Sequence, residues 1–127
     1  EMSTAVQYRL PVKVFILNNE YMGMVRQWQE LLYGGRYSES YTASLPDFVK
    51  LAESYGAVGL RAQKPEDVDD VIIEMLSNEK FTLADIVIDK TENCFPMIPS
   101  GAPHNEMLLG AEDEAEKPVS EDGMVLV

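Results

Sequence analysis

Hydrophobic positions change period several times along the chain, and each change marks an element. Val12, Val14, Phe15, Ile16 and Leu17 form an apolar run broken only by Lys13. Such a β-branched and aromatic run suits a parallel strand, Val12–Leu17, covered on both faces. Asn18-Asn19 ends it, because asparagine bonds to nearby backbone and tolerates left-handed conformations. From Gly23 the period becomes helical, with Met24, Val25, Trp28, Leu31 and Leu32 on one stripe. Upstream, EMSTAVQYR reads as the end of a helix that Pro11 terminates.

Further along, Tyr33 to Ser38 is rich in turn formers and aromatics and reads as an exposed loop. The next helix is expected to start at Ser44, with Asp47 three residues later as a variant capping box and Pro46 in the first turn. Phe48, Val49, Leu51, Ala52 and Tyr55 are its apolar positions, and Gly56 suits the position just past its end. Ala57–Arg61 is a short strand. Pro65 opens another helix, with Val68, Val71, Ile72, Met75 and Leu76 in phase and Asn78 at its end. Asp69, Asp70 and Glu74 lie off that stripe and read as a solvated face. Leu83–Ile88 is a third buried strand. Strands alternating with helices predict a three-layer α/β fold, a parallel sheet with flanking helices and right-handed crossovers. After Asp89 the pattern dissolves: the prolines of FPMIPSG exclude a regular helix or an interior strand, leaving an irregular C-terminal arm.

Composition narrows the function classes. With 127 residues, 46% of them hydrophobic, the chain makes one domain at most with material for a packed core. A net charge of −12 argues against nucleic acid or an anionic membrane as partners. Residues 110–127 read as an acidic, solvated tail, holding six acids against one lysine. Cys94, the single cysteine, excludes an internal disulfide and fits a reducing compartment. No stretch has the length of a membrane span, and no signal peptide or Arg-rich transit segment is visible, so a cytoplasmic location is expected.

The turn after the first strand holds the candidate chemistry. Adjacent amides and backbone carbonyls are hard oxygen donors of the kind Mg²⁺ takes in near-octahedral array. A helix starting near Gly23 aims its N–H groups and dipole at an anion such as a diphosphate. On spacing alone, an Asn-Asn pair after a strand also reads as a plain turn. Ligands of open α/β sheets bind at such carboxyl ends of strands.

The segment NNEYMGMVRQWQELLYGGRYS, residues 18–38, resembles the second half of the thiamine-diphosphate motif of acetolactate synthase (acetohydroxyacid synthase) catalytic large subunits. GMVRQWQ is the narrow part of the match, and similarity continues through SLPDFVKLAESYGAVGLR and ENCFPMIPSGAPHNEML, to about residue 109. The resemblance implies the C-terminal portion of a thiamine-diphosphate-binding domain over residues 1–89 and a lid-like arm over 90–109. A plain arm packed on its own domain is the competing reading of that last stretch. It implies thiamine diphosphate and Mg²⁺ as cofactors, with FAD in the full-length family. The implied reaction condenses pyruvate with a second 2-ketoacid, pyruvate or 2-ketobutyrate, with loss of CO₂, in branched-chain amino-acid biosynthesis.

Residue by residue, the match makes Asn19 a side-chain metal ligand and Tyr21 a main-chain one. Gly23, Met24 and Val25 lie at cofactor-binding positions, and Met24, Val25 and Trp28 line the substrate channel. Asn18 is structural. No residue of this chain is assigned as a catalytic acid or base, His104 and Cys94 included; the activating glutamate of the family belongs to a partner subunit. The resemblance further implies a homo-oligomer with active sites between subunits and a possible regulatory small subunit. It places the other half of the metal site on a Gly-Asp turn upstream, and every glycine here lies after Asn19. The isolated chain is therefore expected to be inactive. Two alternatives stand beside this reading: another thiamine-diphosphate-dependent decarboxylase or carboligase, and a non-catalytic flavodoxin-like α/β binding module.

Overall fold

The computed structural model describes residues 1–110, which fall into two compact units; the expected acidic tail, beyond Gly110, lies outside the described residues. The first unit comprises Glu1–Tyr21 and Thr42–Thr91, and the second Met22–Tyr41 with the chain from Glu92 on. The elements in order are α1 (Met2–Gln7), β1 (Lys13–Asn18), α2 (Gly23–Leu31), α3 (Phe48–Ser54), β2 (Val58–Ala62), a 3-10 turn at Pro65–Asp67, α4 (Val68–Ser77) and β3 (Thr82–Val87).

In the first unit three parallel strands run in the order β1-β3-β2. Strand alternation assigns the two faces. Ala84 and Ile86 of β3 join Ala62, Val71 and Met75 under α4, while Phe81 and Leu83 pack with Ala5 of α1 and Ala52 of α3. The result is helix, sheet, helix: the three-layer parallel arrangement expected. β3 is the centre, buried from Thr82 to Ile86, and each fully buried Leu or Ile there contributes about 1.5–3 kcal/mol. Val14 and Ile16 pack toward α1 and α3, but Phe15 and Leu17 on the other face of β1 are exposed. The two-sided cover expected for the first strand is thus missing among the described residues, because β1 is an edge and α4 packs over β2 and β3 instead.

Two helix boundaries differ from expectation. α1 ends before Pro11 acts: Arg9 adopts φ 54°, and the Arg9 and Leu10 N–H groups bond back to the Val6 and Ala5 carbonyls. This is a Schellman ending without glycine. At α3 the cap is Asp47 rather than Ser44, its carboxylate accepting from the N–H groups of Val49 and Lys50. A carboxylate satisfies the first-turn amides and meets the positive end of the dipole, so it displaces the hydroxyl. Gly56 (φ 78°) closes α3 as expected, with Gly56 N–H to Glu53 and Ala57 N–H to Ala52. Gly59 of β2 permits close approach: a Cβ there would stand 2.6 Å from the Val49 carbonyl oxygen.

The second unit is built on α2 and inverts the expected amphipathic pattern. The buried residues of α2 are Arg26 and Gln27, while Met24, Val25 and Trp28 are exposed. Gln27 explains the inversion. Its Oε1 accepts from the Cys94 N–H at 2.7 Å and its Nε2 donates to the Cys94 carbonyl at 3.1 Å, pairing one side chain with both backbone groups of one arm residue. The arm closes on itself through reciprocal Met97–Leu108 backbone bonds. Glu30 collects Arg26 at 2.7 Å, Tyr37 Oη at 3.0 Å and Asn93 Nδ2 at 3.0 Å.

Candidate functional site

The residues that follow β1 form a turn in which side chains replace the missing ladder. Asn18 Oδ1 accepts the Glu20 N–H and Asn19 Oδ1 accepts the Tyr21 N–H, both at 3.1 Å. Two successive Asx bonds of this kind tighten the chain and fix both amide planes. Between them Glu20 takes φ 58°, a left-handed conformation uncommon outside glycine. It is held from three sides: its N–H by Asn18, its carbonyl by the Thr42 N–H and hydroxyl, and its carboxylate by Lys90. A strained residue persists only where its surroundings over-determine it.

Below the turn a polar chain runs from one buried carboxylate toward the surface. Asp85, in the middle of β3 and 2% exposed, accepts from Asn18 Nδ2 at 2.9 Å on one oxygen and from Arg61 Nε at 3.0 Å on the other. Arg61 Nη2 then donates to the Asp47 cap at 2.8 Å. Parallel register puts Ile16, Asp85 and Arg61 side by side on the α3 face. Desolvation works against the Arg61 charge, but the bonds to Asp85 and Asp47 outweigh it and push its pKa up. Desolvation likewise raises the Asp47 carboxyl. The Lys50 N–H and the Arg61 guanidinium overcome that and hold it below the ordinary 3.8.

In the second unit, Gly23, Met24 and Val25 form the first turn of α2, whose N-terminus no side chain caps. The Met22 N–H bonds to the Ser40 carbonyl, and the fully buried Ser40 hydroxyl has no partner. Met24, Val25 and Trp28 line an open groove of about 660 Å³ with Gln29, Tyr33 and Arg36. Trp28, 43% exposed, is therefore not a core residue of the described chain. Cys94 is exposed.

Sequence-derived candidates thus fall in two places: Asn19 and Tyr21 in the turn of the first unit, and Gly23, Met24, Val25 and Trp28 on α2 of the second. Asp85, Arg61 and Gln27 escaped the sequence reading. The signal for Asp85 was a lone carboxylate inside the apolar strand LADIVI; Gln27, off the apolar stripe of α2, carried none. Among the described residues no group of three His, Cys, Asp or Glu could hold a metal, and no helix is long and apolar enough to cross a membrane. The turn itself offers amide and carbonyl oxygens. The donor set suits Mg²⁺, which commonly completes its shell with phosphate and water.

Comparison with known proteins identifies the family. Residues 1–86 match the model of the thiamine pyrophosphate enzyme C-terminal TPP-binding domain. The acetolactate synthase large subunit of Haemophilus influenzae is 46% identical over 115 residues, covering 90% of this chain and 20% of that protein. The mitochondrial acetolactate synthase catalytic subunit of Saccharomyces cerevisiae is 41% identical over 121 residues, 95% of this chain and 17% of the other. Among solved structures, a thiamine diphosphate-dependent 4-hydroxybenzoylformate decarboxylase of Rhodococcus jostii superposes with a TM-score of 0.61 at 30% identity, over 71% of this chain and 17% of that one. Benzoylformate decarboxylase from Polynucleobacter necessarius, with a TM-score of 0.64 over 73% of this chain and 18% of that one, shares the fold at 23% identity. The chain spans about a fifth of the length of these relatives. Strand, double-asparagine turn and sheet order together with the family match establish that this chain belongs to the thiamine pyrophosphate enzymes, as their C-terminal TPP-binding domain.

Proposed function

We propose that this chain supplies the asparagine side of a Mg²⁺–thiamine diphosphate site in an acetolactate synthase. One observation carries the reading: the Asn19 amide oxygen is fixed by the Tyr21 N–H at 3.1 Å. An amide oxygen has two lone pairs, so the second is left for a cation in a set direction. Asn19 Oδ1 and the Tyr21 carbonyl would hold the metal. Gly23 lets the backbone approach the cofactor, and the uncapped start of α2 offers N–H groups to an anion. Met24, Val25 and Trp28 would keep water from the reacting carbons and shape the space for the second 2-ketoacid. When bound, the cofactor supplies the electron sink for decarboxylating a 2-ketoacid.

The proposed reaction joins pyruvate to a second pyruvate or 2-ketobutyrate with loss of CO₂, in a cytoplasmic homo-oligomer that also carries FAD and a regulatory small subunit. The remaining metal ligands and the cofactor-activating carboxylate come from outside these 127 residues, so the chain alone is expected to form no acetolactate. The test is calorimetric titration of Mg²⁺ and thiamine diphosphate into the whole enzyme. Asn19→Ala should weaken Mg²⁺-dependent cofactor binding, and unchanged affinity would remove Asn19 as a ligand. Likeness to the Rhodococcus decarboxylase favours simple decarboxylation as the second reading. Product analysis separates them, since a decarboxylase releases an aldehyde where a synthase forms acetolactate.

A further inference from the structure

A carboxylate in the middle of a central strand needs a reason. Every other residue of β3 from Leu83 to Ile86 is apolar and buried, and Asp85 is 2% exposed among them. Burying an ion pair contributes little to stability compared with an apolar replacement of similar volume. Its partners suggest another role. One Asp85 oxygen takes the Nδ2 of Asn18 at 2.9 Å, and the Oδ1 of that same amide takes the Glu20 N–H at 3.1 Å. The Asn18 amide is therefore engaged at both ends. Turning it over would set its oxygen against the carboxylate and its NH₂ against an N–H, so only one orientation survives. The second Asp85 oxygen is held by Arg61 Nε at 3.0 Å, and Arg61 is braced in turn by Asp47 at 2.8 Å.

We propose that Asp85 is a positioning residue that acts through Asn18 to set the Asn18–Tyr21 turn, and with it the direction of the Asn19 oxygen. The linkage is continuous within one unit: sheet centre, Asp85, Asn18, Glu20 N–H, then the strained Glu20 that separates Asn19 from Tyr21. Asp85 reaches the turn through its donors: one oxygen holds the Asn18 amide and the other holds Arg61. Asn18 thereby has a definite part, converting a rigid strand position into a turn geometry. The inference rests on the reading of Asn19 as a ligand, and the experiment separates the two.

Asp85→Asn, Asn18→Ala, their double variant and Asn19→Ala are compared in the whole enzyme. Asparagine at position 85 puts an NH₂ where one of the two oxygens stood, so one donor, Asn18 Nδ2 or Arg61 Nε, faces another donor and loses its bond. Asn18→Ala cuts the linkage while leaving the Asp85–Arg61 pair intact, which keeps the test valid if Asp85→Asn fails to fold. Two quantities are read: amide hydrogen exchange at Glu20 and Tyr21 in the metal-free protein, and the Mg²⁺ concentration that half-saturates thiamine diphosphate binding. Both linkage variants should speed exchange at those two amides and raise the Mg²⁺ requirement on the order of tenfold, as outer-shell changes do. The double variant should be no worse than the poorer single one, because coupled residues are not additive. Additive effects, or lowered thermal stability with exchange and Mg²⁺ requirement unmoved, overturn the proposal. If Asn19→Ala leaves the Mg²⁺ requirement unchanged, the ligand reading falls, and the exchange measurement still decides whether Asp85 holds the turn.

Discussion

At Gly59 the Val49 carbonyl oxygen would stand 2.6 Å from an added Cβ and the Val49 Cα 2.8 Å from it. Both obstacles are backbone, so no side chain can move aside. Gly59→Ala is expected to push α3 off β2 and cost about 1–3 kcal/mol or more, read as a lowered urea midpoint with unchanged slope. Asp47 presents the opposite case, a residue whose charge matters. Its carboxyl is held below the ordinary 3.8 in the folded chain, so the ionised form is favoured by folding. That contribution is present above pH 3.8 and is lost as pH falls through the lower folded value. Asp47→Asn should therefore flatten the acid limb of the stability profile and leave the neutral limb's shape unaltered. Thermal melts from pH 2 to pH 6 in both chains check it, with the range chosen to bracket carboxylate titration at about pH 4.

Among the elements, α2 shows how a helix can be buried by its polar side. Gln27, 2% exposed, pairs with both peptide groups of Cys94 and so ties the arm to the helix. Gln27→Leu keeps the volume but strips three bonds, leaving the Cys94 N–H, the Cys94 carbonyl and the Met97 sulfur without that partner. The expected cost is about 1–3 kcal/mol per group left buried and unpaired. It should appear locally, as faster limited proteolysis between Glu92 and Leu108 while the β3 amides stay protected from exchange. An unchanged cleavage rate would mean that Met97 and Leu108, through their reciprocal bonds, hold the arm by themselves.

On the scale of the whole molecule, the first unit presents β1 and β2 as sheet edges, and β1 exposes Phe15 and Leu17, the latter by 62%. An apolar edge with unpaired backbone groups is a template for pairing with another chain. The 127-residue chain is expected to self-associate at micromolar concentration, and Leu17→Lys to shift it toward monomer in sedimentation velocity. A wild-type chain that stays monomeric would show that the edge is protected.

Much of the architecture was legible because periodicity is a one-dimensional record of burial. Three apolar runs gave three strands to within a residue, the stripe from Val68 to Leu76 gave α4, and glycine at 56 gave a helix end. GMVRQWQ and the double asparagine pointed to thiamine diphosphate, a conclusion the family match over residues 1–86 supports. What the sequence could not decide was partnership between distant residues. Asp85 meets Asn18 from 67 positions away, and Gln27 meets Cys94 across the same separation. No local pattern records such a pairing, since it depends on strand register in one case and on the path of an irregular arm in the other. The same holds for the apolar stripe of Met24, Val25 and Trp28. Its spacing declares a helix face, but only the packing of Arg26 and Gln27 on the opposite side decided that this face is open.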